Sequence, residues 1–451
     1  MLGIALGEAI IGSAAPLERQ ITASPQGHVL TNINVWSPDG RWLVYDVCTG
    51  DAFNGNRIER VDVATGVVEV IYESRLGAHC GVVTYNPVRP EVVFIEGPEN
   101  PTAEWSYGFA RRRGVLVDVT LPGVGRPLDA MNYAPPFTPG ALRGGSHVHV
   151  FSPDGQWVSF TYEDDVLAQL DAAGDAAEAH DRNLRTIAVS VPAGPVQVGR
   201  THPRNNDGEY FSAVVARVVD EPKPGGDEIS KAFEEGWIGS RGYVRVDGTR
   251  QNRALAFQGL VRAADGTSHA EVFVVDLPDD LTRAGDGPLQ GTETTRMSPP
   301  AGVVQRRLTF TDGRAFPGVA AVPRHWLRAS PDGSAIAFLM KDEAGVVQLW
   351  TVSPNGGYMR QITRNAHDVA SAISWSPDGE RVAHVMDGSV CVTTIATGRT
   401  ERLSESAPGV SPPSATACGF SPDGARVAYT RDVAGYAQIF VVEVPPDGDD
   451  R

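Results

Sequence analysis

One tetrapeptide, Ser-Pro-Asp-Gly, occurs five times in this chain, and its spacing constrains the fold more than any other feature. The copies begin at Ser37, Ser152, Ser330, Ser376 and Ser421. The last three are spaced 46 and 45 residues apart, about the length of one four-stranded blade of a β-propeller. Each copy precedes a short β-type run, and Pro-Asp-Gly between two strands is typical of a tight turn, because proline presets φ and glycine supplies a positive φ. The repeat therefore predicts an all-β propeller.

The number of repeat units predicts seven blades. Five carry the tetrapeptide, and a degenerate copy at Tyr85-Asn86-Pro87 marks a sixth. The runs EYFSAVVARV, RALAFQGLV and HAEVFVVDLP, between residues 200 and 277, supply the seventh. Within that region we predict a charged, inserted surface loop at residues 220–242, with a short helical patch at Ile229–Glu235. A lid over a ligand site is the alternative for this loop.

A second repeat predicts how the ring closes. RRLTF at 306–310, RQITR at 360–364 and ERLSE at 401–405 each precede a Ser-Pro-Asp-Gly copy, as the outermost strand of a blade would. The same pattern, ERQIT, appears at 18–22, whereas the last blade ends one strand short after YAQIFVVEV at 436–444. We therefore predict that the N-terminal strand completes the C-terminal blade and leaves no free sheet edge.

The repeat units and the closing strand together predict one large domain. The propeller spans residues 18–445, with an N-terminal extension at 1–17 and a flexible tail at 446–451. The net charge of −16 disfavours binding to nucleic acid or to an anionic membrane. No run approaches the roughly 20 apolar residues of a membrane span. The N-terminus lacks the positive region of a signal peptide and carries Glu8 within its apolar stretch, so we predict a cytoplasmic protein, with a periplasmic location as the alternative.

Histidines are concentrated just before the turns. Counted back from each repeat serine, or from Asn86, they stand at −9 (His28), −7 (His79), −5 (His147), −3 (His149), −5 (His325) and −9 (His367). All six offsets are odd, and residues two apart on a strand face the same side. The positions before the turn belong to the innermost strand, or to the loop that feeds it at the opposite mouth of the channel. Asn32 and Asn34 hold the −5 and −3 positions of the first blade and are candidate substrate contacts.

The densest group is His147-Val148-His149. On a regular strand, His-x-His places both imidazoles on one face, with Cα atoms about 6.5–7 Å apart, which suits chelation of one ion. A third ligand would come from an adjacent blade, and His79 is the candidate. His325, across the ring, is a candidate substrate contact or fourth ligand. The alternative is that the pair has only a structural role.

Several arginines lie near the predicted starts of inner strands, where each could hold a carboxylate bidentately: Arg143, Arg204 and Arg328. The run Arg111-Arg112-Arg113 predicts a solvated hairpin, with an anion-binding patch as the alternative. The sequence has no G-x-S-x-G elbow, phosphate loop or dinucleotide fingerprint, so acyl-serine hydrolysis is not indicated.

Longer segments resemble known families. WSPDGRWLVYDV, FSPDGQWVSFTY and WSPDGERVAHVM resemble the TolB-type propeller repeat, over nearly the whole chain. LTNINVWSPDGRWLVYDV, GAHCGVVTYNP, FIEGPENP and GGSHVHVFSPDGQWVSFTYEDD resemble a bacterial group of propellers related to oligogalacturonate lyase. The second resemblance rests mainly on the propeller and on the His-x-His strand.

The lyase resemblance implies a metal site. Oligogalacturonate lyases are seven-bladed propellers that bind a divalent metal, typically manganese, through three histidines and a glutamine. By this resemblance, His147 and His149 match the His-x-His ligands and His79 is the histidine of the preceding blade. The family's glutamine lies three residues before the first histidine of the pair. This chain has Gly144 there, so the ligand set lacks its fourth member.

The resemblance also implies a reaction, the β-elimination of uronic-acid-containing oligosaccharides. The ion and an arginine would neutralise the uronate carboxylate and acidify the C5 proton, which Arg204 or His202 would remove. Two alternatives stay open: a TolB-like propeller that serves as a protein-binding platform without activity, and a metal-dependent hydrolase or epimerase of another sugar acid. Several histidines at one mouth favour an enzyme over a docking platform.

Overall fold

Seven four-stranded antiparallel sheets make up almost all of the regular secondary structure of the described residues. The computed structural model describes residues 17–48, 53–174 and 180–446. The sheets are the blades of a seven-bladed β-propeller, as the repeat predicts. We number the blades 1 to 7 in the chain order of their innermost strands.

In blades 1 to 3 the strands follow one another outward in chain order. Blade 1 comprises Gly27–Val29, Trp42–Cys48, Arg57–Asp62 and Val68–Glu73; blade 2 comprises Cys80–Tyr85, Glu91–Glu96, Arg113–Asp118 and Arg126–Pro127; blade 3 comprises Gly144–Phe151, Val158–Asp164, Thr186–Val191 and Phe211–Val214. A short parallel pair, Ala130–Met131 with Ala141–Leu142, lies between blades 2 and 3. The α-helix Asp165–Ala173 follows the second strand of blade 3 and is capped by the Asp164 side chain.

Blades 4 to 6 repeat this order, and blade 7 takes its outermost strand from the N-terminus. Blade 4 comprises Ile229–Trp237, Arg253–Arg262, Ser268–Leu277 and Val304–Arg307; blade 5 comprises Arg328–Ala329, Ile336–Lys341, Val347–Val352 and Arg360–Gln361; blade 6 comprises Ser374–Trp375, Arg381–Met386, Ser389–Thr394 and Thr400–Arg402; blade 7 comprises Pro413–Phe420, Arg426–Val433, Tyr436–Glu443 and Glu18–Gln20. A hairpin of Tyr243–Val244 and Arg250–Gln251 is inserted after the inner strand of blade 4.

The Ser-Pro-Asp-Gly turns share one local structure. In blade 1, Ser37 Oγ donates to Asp39 Oδ1 at 2.5 Å and accepts the Trp42 N–H at 2.9 Å, while Asp39 Oδ1 also accepts the Arg41 N–H. Gly40 then adopts φ 66°. The same glycine position in the other four copies has φ between 69° and 76° (Gly155, Gly333, Gly379 and Gly424). Because the side chains satisfy the donors of the turn, the tetrapeptide fixes a tight return from the inner to the second strand.

The N-terminal strand closes the ring, as predicted. Glu18–Gln20 pairs antiparallel with Tyr436–Glu443, and the Glu18 carboxylate accepts the Tyr429 hydroxyl and pairs with Arg431 at 3.0 Å. The internal copies of the same motif form outermost strands too, at Val304–Arg307, Arg360–Gln361 and Thr400–Arg402. The third strand of blade 7 is therefore covered along its outer edge.

Blade 4 differs from the prediction. Ile229–Trp237, assigned to the loop at 220–242, is the innermost strand of this blade and pairs with Arg253–Arg262. EYFSAVVARV instead supplies Phe211–Val214, the outermost strand of blade 3. The predicted loop and helical patch are wrong here, because pairing with a neighbouring strand overrides the local preference of Lys, Ala and Glu for a helix.

The centre of the ring is filled. One apolar cluster joins side chains from blades 1 to 5: Ile33, Val82, Val148, Val150, Trp237 and Trp326. Asn32 on blade 1 accepts a hydrogen bond from the Arg328 guanidinium on blade 5. Blades 1 and 5 are not neighbours in the ring, so this contact crosses the central channel. The channel therefore has two separate mouths: the turn mouth, at the Ser-Pro-Asp-Gly turns, and the upper mouth, where the inner strands begin.

The predicted extension at 1–17 and tail at 446–451 lie outside the described residues, apart from residues 17 and 446. Within the described ranges, no helix is both long and apolar enough to cross a membrane.

Candidate functional site

The upper mouth collects positive charge from four blades. The first and third strands of each blade begin at this mouth and the second strand ends there. Arg112 and Arg185 immediately precede the third strands of blades 2 and 3, Lys231 lies near the start of the inner strand of blade 4, and Arg324 precedes the inner strand of blade 5. With His147 on the inner strand of blade 3, these residues form what we call the mouth cluster.

His147 is held neutral within the mouth cluster. Burial lowers the pKa of its imidazole well below the ordinary value, and the positive charges of Arg112, Arg324 and Arg185 lower it further. Its Nδ1 atom is buried without a hydrogen-bond partner. The imidazole is therefore neutral, and its Nδ1 is not committed to any partner within the described residues.

Arg112 is a buried cation without a counter-ion. Arg112 is 2% exposed, and its guanidinium lies 5.1 Å from the Phe109 ring centre. Within the described residues its guanidinium makes one hydrogen bond, to the Tyr107 hydroxyl, which is 3.5 Å long. No carboxylate of the described residues lies within 4 Å of it, whereas Arg111 and Arg113 are both ion-paired. Burial lowers the pKa of Arg112. The predicted solvated hairpin is wrong for this residue, which is positioned to receive an anion.

The other cations of the mouth cluster differ in how far they are neutralised. Arg185 donates to Glu163 at 2.7 Å, and Arg324 donates to Glu234 at 2.8 Å. Lys231 has no carboxylate within 4 Å among the described residues, and burial lowers its pKa, with a further contribution from the charge of Arg185. The mouth therefore keeps unpaired positive charge in a chain whose net charge is −16.

The two histidines of the His-x-His pair lie on opposite faces of their strand, contrary to the prediction. The residue between them has φ 55°, and the register shifts by one residue at this point. His147 lies opposite Thr161 and Val150 lies opposite Ser159, so His147 and Val150 share a face. His149 therefore faces the other way, toward blade 2. A β-bulge of this kind redirects a side chain without ending the strand.

His149 is enclosed beside Asp129. Its Nε2 lies 3.8 Å from Asp129 Oδ2, it is fully buried, and neither ring nitrogen has a hydrogen-bond partner. Asp129 Oδ1 accepts the hydroxyls of Ser190 at 2.5 Å and Ser212 at 2.7 Å. Gly114 packs against both groups, since a Cβ there would lie 2.8 Å from His149 Nε2 and 3.1 Å from Asp129 Oδ2.

The three histidines implied as metal ligands do not form a chelate. Each has a buried Nδ1 without a partner, which is the state a ligand nitrogen would have before an ion binds. However, no choice of ring nitrogens brings His79, His147 and His149 within 4.8 Å of one another. Since His147 and His149 face opposite sides of the strand, these residues do not fit a single ion in this arrangement.

Within the described residues, a different group does have ligand atoms within 4.8 Å of one another: His269, Glu271 and Asp312. His269 and Glu271 lie on the third strand of blade 4, and Asp312 lies in the segment after its fourth strand. The Glu271 carboxylate already accepts the Thr311 N–H at 2.8 Å and pairs with Arg307 at 3.0 Å. This is a possible acidic metal site, although the arginine already compensates its charge.

Four of the predicted substrate contacts have structural partners instead. Asn32 and Arg328 bind each other across the channel. Arg143, which is fully buried, holds the Asp164 carboxylate through Nε and Nη2, at 3.0 and 2.5 Å. His325 is 1% exposed, with Nδ1 2.9 Å from the Pro323 carbonyl oxygen and Nε2 accepting the Leu339 N–H at 3.1 Å. The carboxylate that Arg143 was predicted to bind is thus one of the protein's own.

The remaining predicted residues are spread over the molecule. Asn34 lines the turn mouth, at the opposite end from the mouth cluster. His28 contacts Ser24 and a backbone carbonyl inside blades 1 and 7, and His367 is exposed beside Asp387. The six histidines therefore do not converge on one face as predicted.

The two residues predicted to act as a base lie beside Trp105. The His202 ring packs 5.3 Å from the Trp105 ring and 5.6 Å from the Tyr133 ring. The Arg204 guanidinium donates to the carbonyl oxygens of Glu99, at 2.5 Å, and Asn100, at 3.0 Å. Arg204 and Arg112 line one small cavity of about 160 Å³, which adjoins the mouth cluster. An arginine held by two carbonyls is suited to act as a cation rather than as a base.

Fold and site together define a seven-bladed propeller with an anion-attracting mouth. Its structure is similar to that of an oligogalacturonate lyase in complex with manganese, with a TM-score of 0.56 and 14% identity over 96% of this chain and 94% of that chain. It is also similar to the oligogalacturonate lyase of Vibrio parahaemolyticus, with a TM-score of 0.56 and 10% identity over 95% of this chain and 93% of that chain. A putative TolB from Agrobacterium tumefaciens aligns with a TM-score of 0.40 at 15% identity, over 96% of this chain and all of that one. The predicted resemblance to propellers of the lyase type is confirmed for the fold.

In sequence, the chain is 49% identical over 391 residues to the uncharacterized protein YidR of Escherichia coli K12, covering 86% of this chain and 89% of that one. The chain belongs to the YidR family. Residues 79–206 also match the family described as protein of unknown function (DUF3748). That stretch contains blade 2 and the first three strands of blade 3, with His79, Arg112, Asp129, His147, His149 and Arg185.

Proposed function

We propose that the upper mouth binds a uronic-acid-containing oligosaccharide and cleaves it by β-elimination. The observation that carries this proposal is Arg112, a buried guanidinium without a carboxylate partner beside the neutral, uncommitted imidazole of His147. A uronate carboxylate would supply the missing counter-ion. Guanidinium groups bind carboxylates in a fixed, often bidentate geometry, so Arg112 would also orient the sugar.

The same two groups supply what the elimination needs. Neutralising the carboxylate acidifies the adjacent C5–H bond, because negative charge develops there as the proton leaves. The neutral imidazole of His147 accepts the C5 proton, the electrons of the C–H bond form the C4=C5 double bond, and the C4–O bond breaks. The departing oxygen takes a proton from water. His147 is favoured over His202 and Arg204 because its nitrogen is free and it lies next to Arg112.

A manganese ion at His79, His147 and His149 stays a prediction for this chain, drawn from the resemblance. It competes with the role just given to His147, because an imidazole nitrogen that binds a metal cannot accept a proton. Elemental analysis of the purified protein, beside the double variant His147→Ala/His149→Ala, separates the two. Stoichiometric metal that the variant loses would make His147 a ligand and would overturn its assignment as the base.

Activity is measured as the ultraviolet absorbance of the unsaturated uronate formed from oligogalacturonates of defined length. We expect product from the unmodified protein, a loss of about 10²–10³-fold in Arg112→Met, and a loss of about 10²–10⁴-fold in His147→Gln. Arg200→Met is the matched control, since Arg200 is a largely exposed arginine paired with Asp207. Binding without product would overturn the lyase and support a non-catalytic propeller, and absence of binding would overturn the ligand class as well.

A further inference from the structure

A groove leads away from the mouth cluster between blades 4 and 5. It has a volume of about 710 Å³, within the range of small-molecule sites. Lys231 and Phe233 of the inner strand of blade 4 form one wall, and residues 315–321 with Arg324 and His325 form the other. The second strand of blade 5 ends at this mouth, and its last residue, Lys341, also lines the groove.

The groove contains two of the three lysines of the whole chain. The sequence has 39 Lys and Arg residues, of which only Lys223, Lys231 and Lys341 are lysines, so 36 are arginines. Arginines form nearly all of the ion pairs of the described residues, and no lysine forms one. Lys231 Nζ lies 4.4 Å from the Phe233 ring centre and Lys341 Nζ lies 5.4 Å from the Phe316 ring centre. Both ammonium groups are thus held against the groove walls without a carboxylate.

The charge of the groove is positive overall. Arg185 and Arg324, both of the mouth cluster, also line it, so groove and mouth are continuous. The carboxylate that lines the groove, Glu234, is 6% exposed and is already paired with Arg324. The ammonium groups of Lys231 and Lys341 therefore remain available to an anion that enters from the mouth.

We infer that this groove binds the further units of an anionic oligosaccharide whose reacting uronate lies in the upper mouth, with Lys231 and Lys341 facing successive carboxylates. The inference rests on the proposed function and specifies that its substrate is longer than a disaccharide. The compact ammonium group of lysine can bind a carboxylate from several directions, which suits sugar units that do not have to be held rigidly for the reaction. Affinity should therefore rise with chain length.

The test compares the binding of galacturonic acid, digalacturonate and tetragalacturonate by titration calorimetry, with maltotetraose as the uncharged probe. We expect tetragalacturonate to bind at least about tenfold more tightly than digalacturonate, which corresponds to one charge-assisted contact or more. In Lys341→Met, at the groove lysine that lies outside the mouth cluster, this gain should be largely lost, while digalacturonate binding changes little. Lys223→Met, at the one lysine outside the groove and exposed in the loop before blade 4, is the matched control.

The outcomes separate the two proposals. Binding of digalacturonate without a gain for the tetramer, or a gain that survives in Lys341→Met, overturns the groove assignment and leaves the proposed function standing. Failure of every uronate to bind overturns the proposed function itself. Equal binding of maltotetraose would show that charge does not select the ligand and would also overturn the inference. Thermal unfolding of each variant checks that the fold is intact.

Discussion

At the scale of single residues, Glu235 is an exceptional carboxyl group. It lies on the inner strand of blade 4, is 1% exposed, and neither of its oxygens has a hydrogen-bond partner. Burial raises the pKa of Glu235 to about 8, and the neighbouring charge of Glu234 adds to this. The group is therefore protonated in the folded protein at neutral pH.

This pKa predicts a pH-dependent stability. Between about pH 4.5 and pH 8 the unfolded chain releases the Glu235 proton and the folded protein keeps it, so stability falls as pH rises through this window. The loss is about 1.4 kcal/mol for each pH unit. Glu235→Gln mimics the protonated acid, so we expect it to match the unmodified protein near pH 4.5 and to be more stable at pH 8. Thermal unfolding from pH 4.5 to 9 measures the difference.

Glu343→Gln is the control for this experiment, because Glu343 is a 71% exposed glutamate. A difference between the unmodified protein and Glu235→Gln that stays constant with pH would show that Glu235 is ionised in the folded state.

The close packing around Gly114 predicts that a larger side chain at this position destabilises the fold for steric reasons alone. A methyl group there would lie 2.8 Å from His149 Nε2 and 2.9 Å from Leu128 Cδ2, and the backbone does not require glycine, since its φ is not in the left-handed region. Gly114→Ala should lower the free energy of unfolding by about 1–3 kcal/mol, the usual cost of overpacking. Gly108→Ala meets no atom within 4 Å and should be nearly neutral in chemical denaturation. Equal stabilities would mean that His149 and Asp129 are not packed as tightly as described.

At the scale of strands, the sequence predicted regular elements and missed the irregular ones. The turns, five inner strands and the closing strand follow from patterns with a local physical cause. The bulge in blade 3 does not, because valine at position 148 is among the residues least suited to a positive φ. Strand alternation therefore placed His149 on the wrong face. The inner strand of blade 4 was missed since ISKAFEEGW has helix-favouring residues and no following Ser-Pro-Asp-Gly.

In the closing strand, Glu18–Gln20, the effect of a proline substitution on stability should depend on which residue is replaced. Arg19 lies opposite Val441, and two residues further on Ile21 N donates to Ile439 O at 2.7 Å. Because hydrogen-bonded positions alternate along an antiparallel pair, the Arg19 N–H points into the sheet and the Gln20 N–H points to solvent. Arg19→Pro should remove a ladder bond and lower the melting temperature by several degrees. Gln20→Pro should be tolerated, because proline is accepted at edge-strand positions whose N–H would point to solvent.

Arg19→Ala separates the backbone effect from the loss of the side chain, which binds backbone carbonyls of blade 1. If both prolines behave alike, the strand does not close the ring in the register described.

At the scale of the whole molecule, one hydrogen bond joins opposite sides of the ring. Asn32 accepts from Arg328 across the channel, and burial lowers the pKa of Arg328 to about 10. Asn32→Ala should leave the buried guanidinium without this acceptor and reduce the free energy of unfolding by about 1–3 kcal/mol. In a double-mutant cycle, Arg328→Met should remove most of the further effect of Asn32→Ala. Strict additivity in denaturant titrations would show that the two residues do not interact.

The candidate site was harder to predict than the ring that carries it. Histidine spacing pointed to the upper mouth, but the groups that define its charge, Arg112, Arg185 and Arg324, lie on loops of different blades. No sequence spacing relates such positions, since only the ring brings them together. The rarity of lysine was the one available signal for the groove, because two of three lysines line it.

The pairing of the first described strand with the last has a consequence for synthesis on the ribosome. Gln20 and Tyr436 are 416 positions apart, and at usual rates of translation this separation takes roughly 20 to 80 s. During that time the strand Glu18–Gln20 has no sheet to join, while the contacts from Arg19 to the carbonyls of Val63 and Ala64 can already hold it beside blade 1. Blades 1 to 6 can assemble as they emerge, but the ring is completed only after the strand Tyr436–Glu443 has left the ribosome.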